Sequence, residues 1–207
     1  MRALVVGVAA ALVAACSGEV ESDPSESPTV DGGKAADGGK AADGGMLGTG
    51  GTCDPSLAVG AVSVFRQSFL DVIAFAEGTR DAGGNDGYNV LYAFRLITDC
   101  TQHPNQNYCS GGLCSTAAGR YQFLYKTWAG LNLPNFKPDN QAKAAMSLII
   151  QRKATLPESR ALTATEFSNV LDKISYEWAS LPPGRYGQPV KTTAQLRTLY
   201  CSEVKCP

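Results

Sequence analysis

The chain has 207 residues, a formal net charge of −1 and 44% hydrophobic residues. That length holds one globular domain with appendages and a sizeable core. The near-neutral balance, with no run of like charges, argues against nucleic acid as the main partner, because that role calls for a basic face.

The N-terminus reads as an export signal. Arg2 supplies a positive start and residues 3–15 form an apolar run, shorter than the ~20 residues of a spanning helix. Val13-Ala14-Ala15-Cys16 has the pattern of a bacterial lipobox. It predicts a lipoprotein signal peptide over 1–15, lipidation of Cys16 and a membrane anchor through that lipid. An ordinary signal peptide cut near Ala14 and Ala15 is the alternative. Ser17 leans towards outer-membrane sorting, so the expected location is an exported, membrane-anchored lipoprotein facing the periplasm or cell envelope. Removing Cys16 from seven cysteines leaves Cys53, Cys100, Cys109, Cys114, Cys201 and Cys206. An even set in an exported chain reads as disulfides, with the pairing open. One histidine and no paired CxxC argue against a structural zinc site, and no metal or cofactor is expected.

Residues 16–52 read as a lipid-anchored tether. Asp31-Gly32-Gly33-Lys34-Ala35-Ala36 repeats from Asp37, and large apolar residues are too few to offset the entropy of ordering. The domain is expected over 53–207. In 62–77, Val62, Phe65, Phe69, Val72, Ile73 and Ala76 recur at spacings of three and four, the pattern of a helix packed on a core. Glu77 follows in the last turn, before Gly78. The negative end of the helix dipole and apolar neighbours both raise a carboxyl pKa, which suits a general acid.

A glycine-rich loop over 81–87 comes next. Residues 88–92 and 95–98 flank Ala93-Phe94 as a candidate hairpin. Residues 98–113 read as a loop holding Cys100, Cys109 and His103. Ser115 or Thr116 caps an expected helix running to Trp128. Pro138 opens another, with Ala142, Ala145, Met146, Ile149 and Ile150 on its buried side. Thr163-Ala164-Thr165-Glu166 is a capping box, and Thr192-Thr193-Ala194-Gln195 offers a similar start. Several helices around one small hairpin predict an α+β domain.

Ala76-Glu77-Gly78-Thr79, Asp86-Gly87-Tyr88, Thr98-Asp99, His103-Pro104, Ala118-Gly119-Arg120-Tyr121-Gln122 and Trp178-Ala179-Ser180-Leu181-Pro182 occur in this order. The ordered set resembles the phage lambda-type endolysins and their bacterial relatives, the lysozyme-fold lytic transglycosylases. The resemblance covers roughly 65–188. It implies a lysozyme-like, mostly helical fold with a substrate groove, and peptidoglycan glycan strands as substrate. It places Glu77 on the family's catalytic glutamate, with cleavage between N-acetylmuramic acid and N-acetylglucosamine and a 1,6-anhydromuramyl product.

Three readings follow. In the first, Glu77 alone serves a lytic transglycosylase. In the second, Asp86 is the second carboxylate that a hydrolytic lysozyme needs, although Asn85-Asp86-Gly87 is also ordinary turn chemistry. In the third, the chain is an inactive wall-binding lipoprotein of the same fold. By resemblance, Tyr121, Gln122, His103, Tyr186 and Gln188 are candidate substrate-binding residues. Tyr121 serves equally as core and His103 equally as a loop pin. An inhibitor or immunity protein is left unassigned.

Overall fold

The computed structural model describes residues 51–207. The expected signal peptide (1–15), Cys16 and nearly all of the tether lie outside the described residues. Five helices and one two-stranded sheet make the domain: α1 (Val64–Glu77), β1 (Tyr108–Ser110), β2 (Leu113–Ser115), α2 (Tyr125–Gly130), α3 (Pro138–Gln151), α4 (Ala164–Ile174) and α5 (Thr193–Glu203).

Helix α1 is the central element. Phe69, Leu70, Val72, Ile73 and Ala74 are all fully buried, so its buried surface is broader than a single stripe, while Val62, Phe65 and Ala76 are only partly covered. Around it lie two aromatic groups. Phe69 meets Phe167 of α4 at 5.5 Å and Tyr200 of α5 at 6.1 Å, both edge to face. On the other side Trp128 meets Phe136 at 4.6 Å and Phe123 at 5.5 Å. Such geometries satisfy the ring quadrupoles while excluding water.

The helix starts read from sequence hold for α4 and α5. Thr163 and Glu166 form a complete capping box, as do Thr192 and Gln195. Helix α3 opens at Pro138, where the missing N–H costs nothing. Ile150, expected on its buried side, is exposed; Ala144 and Leu148 are buried instead.

Two expectations are corrected. The paired strands are at 108–115, inside the stretch read as a loop, where Gly111 and Gly112 both have positive φ and close a tight hairpin bridged by Cys109–Cys114. Within itself the 88–98 stretch forms one isolated antiparallel bridge, Val90 with Leu96, around a tight turn in which Ala93 and Phe94 both have positive φ. The second correction concerns 115–128, where helix exists only from Tyr125. Upstream the chain doubles back, with Ala118 bridged to both Leu91 and Phe123. Gly119 is the cause: its φ is +77°, and a Cβ there would sit 2.2 Å from Gln141 Oε1. Cys53–Cys100 and Cys201–Cys206 complete the disulfides, so all six expected cysteines are bonded.

Gln141 is fully buried and binds three backbone groups: its Oε1 accepts from the Arg120 amide at 2.9 Å, and its Nε2 donates to Tyr88 and Phe136 carbonyls at 3.0 and 2.8 Å. Gly119→Ala must displace it. The expected loss is about 3 kcal/mol, measured as a drop in the urea midpoint with an unchanged m-value.

Candidate active site

Glu77 is the last residue of α1. Gly78 follows at φ +74° and caps the helix by donating its N–H to the Ala74 and Phe75 carbonyls. The carboxyl is 5% exposed. Its Oε1 accepts a hydrogen bond of 2.6 Å from Ser180 Oγ, 103 residues further along the chain. Oε2 is buried with no hydrogen-bond partner among the described residues. Desolvation lifts the Glu77 pKa from 4.5 to about 7, against the opposing pull of the Ser180 hydroxyl. A carboxyl so placed is protonated over much of the neutral range. With Ser180 donating to Oε1, Oε2 is the oxygen left to carry the proton.

The segment after Glu77 is pinned from beneath. The Thr79 and Arg80 amides both donate to the Ala74 carbonyl, and the buried Thr79 hydroxyl bonds the Arg120 carbonyl. Arg120 is itself 2% exposed. Its guanidinium reaches Asp71 Oδ1 at 2.9 Å, pairs with the Asp86 carboxylate and lies over the Tyr88 ring at 5.3 Å. Asp86 has φ +49°, and its Oδ1 also accepts from the Asp81 amide at 3.0 Å. The carboxylate is thus committed to a turn and an ion pair.

The other candidate residues are placed as follows. Tyr121 is fully buried, edge-on to Tyr88 and Phe123. Gln122 donates from Nε2 to the Val90 and Gly119 carbonyls, at 3.2 and 2.9 Å, and braces the turn where the chain doubles back. His103 is buried, with Nε2 donating to the Phe123 carbonyl at 2.8 Å and Nδ1 accepting from the Asn105 amide at 3.1 Å. Those partners fix one neutral tautomer, and burial keeps the ring's pKa below the ordinary histidine value. The Tyr186 hydroxyl donates to the Tyr176 carbonyl at 3.3 Å. Gln188 is half-buried near Gly184, and its Nε2 has no partner among the described residues. Among the described residues, Ser180 alone is brought onto the Glu77 carboxyl by a direct hydrogen bond. Its role escapes a reading of residue types, since a serine between alanine and leucine carries no periodic signal.

The family model for Endolysin matches residues 67–204. The chain belongs to the endolysin family. It is 37% identical to the endolysin of Escherichia phage lambda over 131 residues, which is 59% of this chain and 80% of that protein. It is 33% identical to the endolysin of Escherichia phage P2 over 150 residues, 64% of this chain and 88% of that one. Among solved structures, bacteriophage lambda lysozyme in complex with a chitohexasaccharide superposes with a TM-score of 0.62 at 32% identity, covering 69% of this chain and 95% of the other. The lysozyme-like α+β fold is therefore that of lambda lysozyme, and the chain is a glycosidase-type enzyme that cleaves peptidoglycan.

Membership also corrects the expected location. Endolysins of this family are released to act on the cell wall, whereas a lipid on Cys16 would hold the domain at a membrane surface. The expected location, held at a membrane as a lipoprotein, is corrected on that ground, while the signal peptide and Cys16 themselves lie outside the described residues. Among the described residues no helix is long and apolar enough to cross a membrane.

Because the folded pKa of Glu77 lies above its unfolded value, the native state holds an extra proton between pH 4.5 and about 7. Stability is then greatest below pH 4.5 and declines as pH rises to about 7. Glu77→Gln has no charge to bury. Above pH 7 it should exceed the parent by on the order of 3 kcal/mol, and the difference should vanish near pH 4. Urea unfolding of both proteins at pH 4 and pH 8 checks this.

Proposed function

We propose that the chain is a lytic transglycosylase, breaking the β-1,4 bond from N-acetylmuramic acid to N-acetylglucosamine in peptidoglycan, with residues 53–207 as its catalytic domain. The observation that carries this reading is the contrast between two carboxylates. Glu77 is buried and protonated near neutral pH, with Oε2 unpartnered. Asp86 is bound to Arg120 and to the Asp81 amide.

Glu77 gives its Oε2 proton to the glycosidic oxygen as the C1–O bond breaks, and the N-acetylglucosamine side leaves as an alcohol. The muramyl C1 becomes oxocarbenium-like. The C6 hydroxyl of the same sugar then attacks C1, and the Glu77 carboxylate takes its proton, which restores the acid. One carboxyl serves both steps, and the product is a 1,6-anhydromuramyl end. The nucleophile belongs to the substrate, so its effective molarity replaces a bound water. A hydrolytic course needs a second carboxylate beside the sugar to activate water or to attack C1. For Asp86 that means leaving Arg120.

The comparisons supply the substrate class: lambda lysozyme is known in complex with a chitohexasaccharide, a β-linked amino-sugar chain. His103, Tyr121, Gln122, Tyr186 and Gln188 are proposed to support the glycan site, Tyr121, Gln122 and His103 by holding its walls rather than by touching sugar.

Mass spectrometry of muropeptides released from purified peptidoglycan tests the chemistry. Anhydromuramyl ends are expected; reducing muramyl ends, one water heavier, would overturn the transglycosylase in favour of the lysozyme reading with Glu77 and Asp86. Glu77→Gln should lower release by about a hundredfold or more. The rate should fall as pH rises through about 7, where Glu77 loses its proton. Ser180→Ala removes a hydrogen bond that favours the carboxylate, so that alkaline limb should move up by about one pH unit.

A further inference from the structure

Phe94 has no explanation in the packing of the domain. It is 51% exposed, and Leu96, two residues on, is 56% exposed. Both Ala93 and Phe94 have left-handed backbones, at φ +60° and +56°. Glycine, asparagine or aspartate would hold such a turn with less strain; alanine and phenylalanine are poor choices for it. Two adjacent outliers persist only where the surroundings over-determine them.

The surroundings here do so. Tyr92 is buried, its amide donates to the Ala117 carbonyl at 2.9 Å and its hydroxyl points to the Ser110 carbonyl at 3.5 Å. The Leu91 amide donates to the Arg95 carbonyl at 2.7 Å, and the Gly119 amide to the Val90 carbonyl at 2.7 Å. Arg95 lies over the Tyr108 ring at 4.8 Å, which ties the turn to β1. This bracing holds the Phe94 ring against the backbone that follows Glu77. A Cβ on Gly78, the residue after Glu77, would lie 3.4 Å from Phe94 Cζ. Leu96 stands over the same segment, with Cδ2 2.8 Å from where a Gly83 Cβ would be. An exposed apolar lip therefore runs along the backbone leaving Glu77.

We propose that Phe94 is a substrate-binding residue: its ring stacks on the apolar face of an N-acetylhexosamine in the glycan strand and sets that sugar against Glu77. A pyranose ring with equatorial substituents presents a face of C–H groups, which complements the negative face of an aromatic ring. The strained turn is retained because a glycine there would relax the backbone and lose the platform. The inference rests on a glycan substrate but not on whether the bond is broken by transglycosylation or hydrolysis.

The test measures binding without turnover. Chitohexaose is titrated calorimetrically into the full chain carrying Glu77→Gln, alone and with Phe94→Asn or Phe94→Tyr added. Asparagine suits the left-handed turn but offers no ring; tyrosine keeps the ring. We expect Phe94→Asn to weaken binding about tenfold or more, equivalent to the stacking energy of one ring, with a melting temperature no lower than that of the parent. Phe94→Tyr should bind within about twofold of the parent. Unchanged affinity in Phe94→Asn would overturn the proposal, as would equal weakening in both variants, a fall in affinity that tracks a fall in melting temperature, or no chitohexaose binding by the parent. Muropeptide release is measured separately, so a wrong reaction class leaves this result standing.

Discussion

The site depends on a buried cation. Arg120 is almost wholly removed from water, and two carboxylates, Asp71 from the middle of α1 and Asp86 from the turn beyond it, meet its guanidinium. Such a pair is expensive to desolvate and is held together only by good geometry, so losing one partner costs about 3–5 kcal/mol. The constraint fixes distances between segments that share no regular structure. Through it the 78–87 segment is drawn back along α1, and the Arg120 carbonyl receives the Thr79 hydroxyl two residues beyond Glu77. The end of α1 is therefore set by tertiary bonds as much as by Gly78.

Against that rigid floor the Glu77 carboxyl is shaped by two opposed effects. Burial favours the protonated form, while the Ser180 hydroxyl favours the anion, and burial prevails. A general acid needs both tendencies. An acid with no stabilisation of its anion would hold its proton too tightly, and one left in water would have lost it well below neutral pH. The Ser180 bond spans the domain in sequence, so the acid is tuned only once the 178–182 loop has docked, with Trp178 Nε1 donating to the Tyr121 carbonyl at 2.9 Å. Tyr121, expected at the glycan, serves this docking from the core side.

Four of the five helices were legible in the residues, because periodicity and capping are local. The Thr163–Glu166 and Thr192–Gln195 boxes need only their own four residues. The 115–128 stretch was misread as helix because Ala117, Ala118 and Tyr121 suit one. What forbids it is Gln141, twenty-two residues downstream of Gly119 and invisible to any local pattern. The hairpin expected at Ala93-Phe94, which lacks glycine, lies instead at Gly111-Gly112, where glycine takes positive φ at both positions without strain. Glu77 is legible through the ordered set of motifs that contains Ala76-Glu77-Gly78-Thr79; the role of Ser180 is not, since its meaning lies in a contact. The membrane anchor is the opposite case, a location read from residues 1–16 and corrected by what the family does.

The same accounting bears on how one carboxyl can suffice. To act as a base or nucleophile, Asp86 would have to give up negative charge during the reaction, by taking a proton or by bonding to carbon. The buried Arg120 guanidinium would then keep only Asp71 as a charged partner, beside the Asp86 carbonyl, and the barrier would carry part of that penalty in the transition state. A fold that spends Asp86 on its buried cation is poorly suited to hydrolysis by that residue. A nucleophile carried by the substrate avoids the conflict, since the muramyl C6 hydroxyl asks nothing of the protein but a base, and the spent Glu77 carboxylate is already beside it. In the proposed reaction the ion pair beneath the site and the chemistry above it are one constraint, because the residue that stabilises the floor is withdrawn from the chemistry.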